Sequence, residues 1–241
     1  MTFAAETPDD EKGYARLRHN RDPGGVRRGL IRLGGVLGLR TAEITRGELG
    51  APRDVLCVVV LRGGALLYPG FVTAFPQADF CVLGMRRTPG RLSVDHQYMS
   101  DVPRDGYQAT VYIDCVAATG GTLLAAREAI AARCATGHEV AAVISGAAAA
   151  TARLREAGVN MVGFSLYEGL DGQVVYPDMG ELDAGDLFSG VSSPEGPGGA
   201  DVPDAPREAD APDAPAGADG PGPPDRAGGP GVPGAPEGPG R

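Results

Sequence analysis

The residues most able to do chemistry lie in one segment, DCVAATGGT (114–122), between an apolar run and a helix-forming stretch. A chain that turns here from strand to helix leaves backbone N–H groups unpaired at the positive end of the helix dipole, which favours a phosphate group. Two glycines allow the backbone to approach that phosphate closely, and Thr119 and Thr122 add hydroxyl donors. The segment therefore predicts a phosphate-binding loop. Asp114 stands where a carboxylate accepts hydrogen bonds from sugar hydroxyls or helps to hold a magnesium ion.

This loop differs from two common nucleotide-binding motifs. No Gly-Lys-Ser/Thr triplet follows it, as in a Walker loop, and the GxGxxG spacing is absent. Thr-Gly-Gly-Thr by itself also occurs as a helix N-cap without a ligand. The order of strand, Asp, four residues, Thr-Gly-Gly-Thr and helix is more specific for phosphate binding.

Short apolar runs along the chain have the length of buried strands. They are VLCVVVL (55–61), FCVLG (80–84), TVYID (110–114), VAAVIS (140–145) and MVGFSL (161–166). Helical stretches are predicted over 122–136 and 147–157, and a helix that contains several glycines over about 24–46. The alternation of strands and helices predicts an α/β fold with a parallel sheet flanked by helices.

In such a sheet, ligands bind at the carboxyl ends of the strands. The loops that follow Leu61, Gly84, Ile113 and Ser165 should therefore line the site. His96 and Tyr98 are expected to pack within a loop rather than to take part in catalysis.

The two ends of the chain differ in composition from its centre. Residues 191–241 hold most of the chain's 21 prolines and no aromatic residue, so they cannot bury enough apolar surface to offset the entropy of ordering. They are predicted to form a disordered Pro/Gly/Ala/acid-rich tail, and residues 1–15 a flexible N-terminus. Residues 16–190 should form one domain.

Charge and cysteine usage exclude several classes of function. The net charge is −9, and most of the excess acid lies in the tail, so no nucleic-acid partner is expected. Basic spots around Arg16–Arg28 and Arg86–Arg91 would hold phosphate or form a solvated face. The four cysteines lack zinc-ligand spacing, and the three that lie in apolar runs are expected in the core. No apolar stretch has the length of a membrane span, so a soluble cytoplasmic protein without membrane contact is expected, with His19 and His138 at its surface.

Residues 114–122 resemble the phosphoribosyl pyrophosphate motif of type I phosphoribosyltransferases. The motif is most similar to that of the uracil phosphoribosyltransferase family, which reads like DPMLATGGS. VVVLRGGAL (58–66) resembles that family's strand and LRAGL pyrophosphate loop, and PQADFCVLGMRR (76–87) resembles its PxAxxxxxGxxR segment. Residues 92–103 stand where the family has a mobile loop that would close over the site, and residues 167–190 resemble the family's ending.

The resemblance implies a type I phosphoribosyltransferase-like fold and transfer of a 5-phosphoribosyl group to a nitrogen of uracil or a uracil-like base, yielding UMP or its analogue and pyrophosphate. It also implies Mg²⁺ as cofactor and a homo-oligomer. Arg87 and Asp183 are implied as catalytic residues. The implied phosphoribosyl pyrophosphate ligands are Arg62, Arg87, Asp114, Cys115, Val116, Ala117, Ala118, Thr119, Gly120, Gly121, Thr122 and Asp183. The implied base contacts are Val174, Leu182, Asp183 and Ala184.

The chain departs from the family where the base would bind. Leu182 replaces a family glycine, and two extra residues precede Asp183. GAAAAT (146–151) replaces an Ala-Pro-Glu-Gly turn. These departures leave two alternatives open: the same chemistry on another heterocycle, and a non-catalytic nucleotide-sensing regulator on the same fold.

Overall fold

The computed structural model describes residues 2–3, 8–19, 22–87 and 94–167. The helices are α1 Pro8–His19, α2 Pro23–Leu49, α3 Tyr68–Ala74, α4 Gly121–Ala131 and α5 Ala148–Glu156, with a 3₁₀ turn at Gly63–Leu66. The strands are β1 Thr2–Phe3, β2 Val55–Leu61, β3 Asp79–Arg87, β4 Val94–Met99, β5 Gly106–Ala117, β6 Ala135–Ala147, β7 Val159–Gly163 and β8 Ser165–Tyr167.

The strands of these residues form one sheet in the order β1-β7-β6-β5-β2-β3-β4, and β8 also pairs with β6. All pairs are parallel except β3 with β4. The predicted α/β class, a mostly parallel sheet flanked by helices, is confirmed. The predicted tail, 191–241, lies outside the described residues.

Each face of the central strands is covered by helices, which explains why these strands read as continuous apolar runs. Cys57 and Val59 of β2 pack in one core with helices α1, α2 and α3. Leu56, Val58 and Val60, on the opposite face of β2, pack in a second core with α4 and α5. The central strands are therefore fixed from both sides, and their carboxyl ends form one rigid edge.

Helix α2 is longer than the predicted 24–46 and begins with a strong capping signal. The Asp22 carboxylate accepts hydrogen bonds from the N–H groups of Gly24 and Gly25, at 3.3 and 2.6 Å. Pro23 occupies the first turn, where its missing N–H costs nothing. The later glycines allow α2 to lie close to α3: a Cβ atom on Gly38 would be 2.9 Å from the carbonyl oxygen of Gly70 in α3, and one on Gly34 would be 2.9 Å from Cα of Leu67, directly before α3.

Helix α4 ends five residues before the predicted end at 136. Residues 135 and 136 belong instead to β6, where they pair with Gly106 and Tyr107 of β5. Gly137, which directly follows the predicted helix, also lies inside β6. Pairing with β5 overrides the local helix propensity of these residues. Helix propensity is a local property and does not show which strand lies next to them in the sheet.

The single strand predicted over 161–166 is divided into β7 and β8 at Phe164. The Phe164 N–H donates to the carbonyl of Ile144 at 3.0 Å, and the ring stacks on Tyr14 with centroids 5.9 Å apart. Tyr14 belongs to α1, a helix that begins inside the segment 1–15 for which the sequence predicts flexibility and continues to His19. The buried side chains of Tyr14 and Leu17 anchor this helix.

The remaining sequence expectations are partly met. All four cysteines are buried free thiols, and burial raises the pKa of Cys57. His138, expected at the surface, has a side chain only 14 % exposed, because it lies against Glu48 at the end of α2. None of the helices in the described ranges is long and apolar enough to cross a membrane.

Two neighbouring glycines of α2 give a test of this packing. A Cβ atom on Gly34 would press against the backbone of Leu67, whereas one on Gly35 would meet nothing within 4 Å. We expect Gly34→Ala to lower the free energy of unfolding by about 1–3 kcal/mol. Gly35→Ala, the matched control, should raise it by about 0.5–1 kcal/mol through helix propensity. Urea unfolding of the two variants measures both values, and equal effects would contradict the α2–α3 contact.

Candidate functional site

The predicted phosphate loop lies between β5 and α4. Strand β5 ends at Ala117 and helix α4 begins at Gly121, so three residues make the turn. Gly120 has φ +75°, in the left-handed region, and accepts the first helical hydrogen bond, from Leu124 N–H at 3.0 Å. Helix geometry leaves the first N–H groups of α4 without intrahelical acceptors, so this turn has the form of an anion-binding loop.

The side chains of this segment divide into two groups. Cys115, Ala117 and Ala118 are buried, so only their backbone atoms are available to a ligand. Thr119 is exposed, and its hydroxyl accepts a long hydrogen bond from Gly121 N–H, 3.4 Å. Thr122, at the start of α4, is partly exposed. The hydroxyl donors therefore lie on the open side of the loop.

A second loop, at the end of β2, meets the first one. Gly63 lies so close to β5 that a Cβ atom on it would be 2.7 Å from Oδ1 of Asp114. The Cys115 thiol donates to the Gly63 carbonyl at 3.2 Å. Arg62, directly before Gly63, is exposed, and the peptide bond between Leu61 and Arg62 is cis. The two segments that the sequence analysis singled out separately thus form one site.

Asp114 lies at the junction of the two loops. It is partly buried, and its Oδ1 accepts a hydrogen bond from Cys115 N–H at 2.7 Å. This bond fixes the carboxylate beside Gly63. The described residues contain no cluster of three or more His, Cys, Asp or Glu side chains suited to a metal.

The other predicted site residues lie partly within and partly outside the described residues. Arg87 ends β3, beside β2, and three residues beyond the paired residues Leu61 and Gly84, so it lies at the same edge of the sheet. Val174 and residues 182–184, including the implied catalytic Asp183, lie outside the described residues. Tyr98, expected to pack in a loop, stands in β4 with 57 % of its surface exposed.

A buried polar cluster beneath the loop was not predicted. Glu139 of β6 is 6 % exposed and accepts hydrogen bonds from Tyr112 of β5 at 2.8 Å and from Arg127 of α4 at 2.7 Å. Burial and the charge of Glu139 raise the pKa of Tyr112. The hydrogen bond to Glu139 raises the pKa of Arg127. These three side chains tie α4 to the sheet, and their wide separation in sequence hides them from pattern analysis.

Two further contacts join the site to its surroundings. Arg153 of α5 donates to the carbonyl of Thr119 at 2.7 Å. The hydroxyls of Tyr14 and Ser145 are 3.1 Å apart, which links α1 to the carboxyl-terminal part of β6. Neither contact follows from a sequence motif, because each joins residues more than 30 positions apart.

Comparison with known proteins gives consistent matches. The family description "Uracil phosphoribosyltransferase" matches residues 39–188. A uracil phosphoribosyltransferase of Bifidobacterium longum strain DJO10A is 36 % identical over 94 residues, which are 38 % of this chain and 43 % of the relative. The corresponding protein of B. longum subsp. infantis gives the same values. The chain therefore aligns with less than half the length of these curated relatives.

One solved structure resembles the fold over most of the chain. The AQ2163 protein from Aquifex aeolicus has a TM-score of 0.67 and 20 % sequence identity, with 80 % of this chain and 100 % of that chain covered. At this identity the likeness shows the fold alone.

The buried cluster of Glu139 is testable. Glu139→Gln keeps the size of the side chain but removes the negative partner of Arg127, so we expect a loss of about 1–3 kcal/mol in the free energy of unfolding. The control, Glu156→Gln, changes an exposed residue at the end of α5 and should stay within about 0.5 kcal/mol of the wild type. Guanidinium unfolding followed by circular dichroism gives both numbers. A Glu139→Gln variant as stable as the control would show that the cluster does not anchor α4.

Proposed function

The chain belongs to the uracil phosphoribosyltransferase family, and from this membership we propose that it transfers the 5-phosphoribosyl group of phosphoribosyl pyrophosphate to a ring nitrogen of uracil. The products are UMP and pyrophosphate. The enzyme class is a pentosyltransferase.

One observation carries this proposal: the loop after β2 and the loop after β5 share a single site. A Cβ atom on Gly63 would be 2.7 Å from Oδ1 of Asp114, so the loop that carries Arg62 meets the carboxyl-terminal part of β5, from which the turn at residues 118–120 follows. A ligand that has a phosphate at one end and a pyrophosphate at the other needs two anion-binding regions separated by a sugar-binding carboxylate. The arrangement of these loops about Asp114 fits that need.

The protein's part in the reaction is positioning and charge stabilisation. Backbone N–H groups and hydroxyls of residues 117–122 bind the 5-phosphate. Arg62 and Arg87 hold the pyrophosphate, since a guanidinium donates two parallel hydrogen bonds to phosphate oxygens. Asp114 accepts hydrogen bonds from the ribose hydroxyls. The bond from C1 of the ribose to pyrophosphate breaks as the bond to the base nitrogen forms, and that nitrogen releases its proton to solvent. The fixed groups lower the barrier by orientation and by stabilising developing charge.

We expect Mg²⁺ to bind at this site together with the substrate. Mg²⁺ commonly binds one or two carboxylates together with substrate phosphates and several waters. Asp114 offers one such carboxylate in the described part of the site, and Asp183 is the proposed second. When bound, Mg²⁺ neutralises charge on the leaving pyrophosphate.

The choice of uracil as the base rests on the family and on residues 174–184. Val174 and residues 182–184 are proposed to contact the base, largely through main-chain atoms. Leu182 stands where the family has glycine, and a branched side chain there should crowd the ring. We therefore expect weaker use of uracil than of a better-fitting heterocycle.

Gly120 tests the phosphate loop. Its φ of +75° is a conformation that a β-branched residue rarely adopts, although a Cβ atom would lie in ordinary contact with Ala150 at 3.5 Å. Gly120→Val should force the turn to change and lower the affinity for phosphoribosyl pyrophosphate about 100-fold or more, because several donors lose their geometry together. Gly120→Asn is the control, since asparagine tolerates this conformation. Calorimetric titration that finds equal affinities for Gly120→Val and the wild type would remove this loop from the site.

A panel of bases tests the reaction. Purified protein, phosphoribosyl pyrophosphate and Mg²⁺ are mixed with uracil, other pyrimidines and azoles, and pyrophosphate release is measured. We expect turnover with at least one base and an increase in uracil turnover in Leu182→Gly. Efficient uracil turnover by the wild type with no gain in Leu182→Gly would show that Leu182 does not crowd the base. Tight binding of phosphoribosyl pyrophosphate without turnover on any base would favour a nucleotide-sensing regulator.

A further inference from the structure

Helix α5 contacts the phosphate loop through one backbone and one side-chain contact. Gly120 lies beside Ala150 of α5, one turn before Arg153. The Arg153 guanidinium extends from the exposed side of α5 and donates to the Thr119 carbonyl at 2.7 Å. This carbonyl belongs to the same peptide group as the N–H of Gly120.

The orientation of that peptide decides which of its ends faces an anion. In a trans peptide the carbonyl and the N–H point in opposite directions, and the bond between Thr119 and Gly120 is not among the cis bonds of the chain. A carbonyl turned toward a phosphate repels it, whereas an N–H attracts it. The hydrogen bond from Arg153 holds the carbonyl on the α5 side and so directs the Gly120 N–H away from α5.

We propose that Arg153 is a positioning residue of the phosphate subsite: by binding the Thr119 carbonyl, it keeps the Gly120 N–H aimed at the 5-phosphate of phosphoribosyl pyrophosphate. This inference rests on the proposed function. The guanidinium also places a positive charge at the edge of the loop, which favours the approach of an anion.

If the role of Arg153 were purely structural, its substitution would lower the global stability of the protein. We do not expect such a loss. The side chain is exposed, and an exposed polar contact contributes little to global stability. Substitution should therefore leave the melting temperature nearly unchanged. The effect should appear in phosphoribosyl pyrophosphate binding, since the loop must hold one peptide orientation when the phosphate binds.

Three variants of α5 test this role. We expect Arg153→Ala to raise the Kd and KM for phosphoribosyl pyrophosphate about fivefold to tenfold, with kcat changed less than about twofold, because one oriented donor is lost from several. Arg153→Lys should restore most of the affinity, since an ammonium group also donates to a carbonyl. Arg155→Ala removes an exposed arginine on the same helix and is the matched control. An Arg153→Ala variant with the Kd of Arg155→Ala would overturn the proposal.

A second measurement separates this proposal from the function on which it rests. In the ligand-free protein, the NMR chemical shift of the Gly120 amide nitrogen depends on the hydrogen bond that the preceding carbonyl, that of Thr119, accepts. We expect a marked change of this shift in Arg153→Ala and none in Arg155→Ala. A wild type that fails to bind phosphoribosyl pyrophosphate would refute the proposed function, while the Gly120 shift would still test the contact. An unchanged shift in Arg153→Ala would refute the positioning role even in an active enzyme.

Discussion

The site depends on the parallel pairing of β2 with β5. In this pair Val59 lies opposite Ile113, so the two strands reach their carboxyl ends at nearly the same level. The chain then leaves β2 through Arg62 and Gly63, which lie beside Asp114 and Cys115 of β5, and leaves β5 after Ala117. A shift of one residue in this register would turn the apolar side chains to the wrong faces and would separate the two loops. Burial of both faces in apolar cores makes such a shift costly, and the sheet thereby fixes the distance between the two loops.

The two proposed anion-binding regions differ in the groups that they offer to a ligand. The turn at residues 118–120 relies on backbone N–H groups, whose positions follow from the turn itself and from the axis of α4. The turn after β2 offers the side chain of Arg62, and its backbone is pressed against β5 through Gly63. A backbone site requires small residues and one left-handed glycine, and both appear plainly in the sequence. An arginine site requires only that the arginine reach the ligand, which a sequence pattern cannot show.

This difference explains which parts of the structure could be predicted from the sequence. The bounds of β2 and the strand-to-helix turn at residues 118–120 follow from the apolar run at 55–61 and the Thr-Gly-Gly-Thr segment, because burial and turn chemistry act locally there. The predicted end of α4 was wrong by five residues, because residues 135 and 136 belong to β6 and pair with β5. Glu139 and Arg153 act across the fold, between elements whose adjacency the sheet order decides. No local rule marks either residue as part of the site.

The anchoring of α4 shows how the fold serves the loop at a distance. The N-terminal end of α4 forms part of the proposed phosphate loop, whereas Arg127, in the second turn, is bound to Glu139 inside the fold. Apolar contacts of Leu123 and Ile130 hold the helix against the sheet, but such contacts are non-directional and allow the helix to slide or rotate. Hydrogen bonds from Tyr112 and Arg127 to one buried carboxylate are directional. They restrict both the sliding of α4 along its axis and its rotation about that axis. An anion site made of backbone N–H groups needs that fixity, since a rotation of α4 would move all of its donors at once. The cost of burying Glu139 is offset by its two charge-assisted partners, and the site gains an oriented set of donors before any ligand binds.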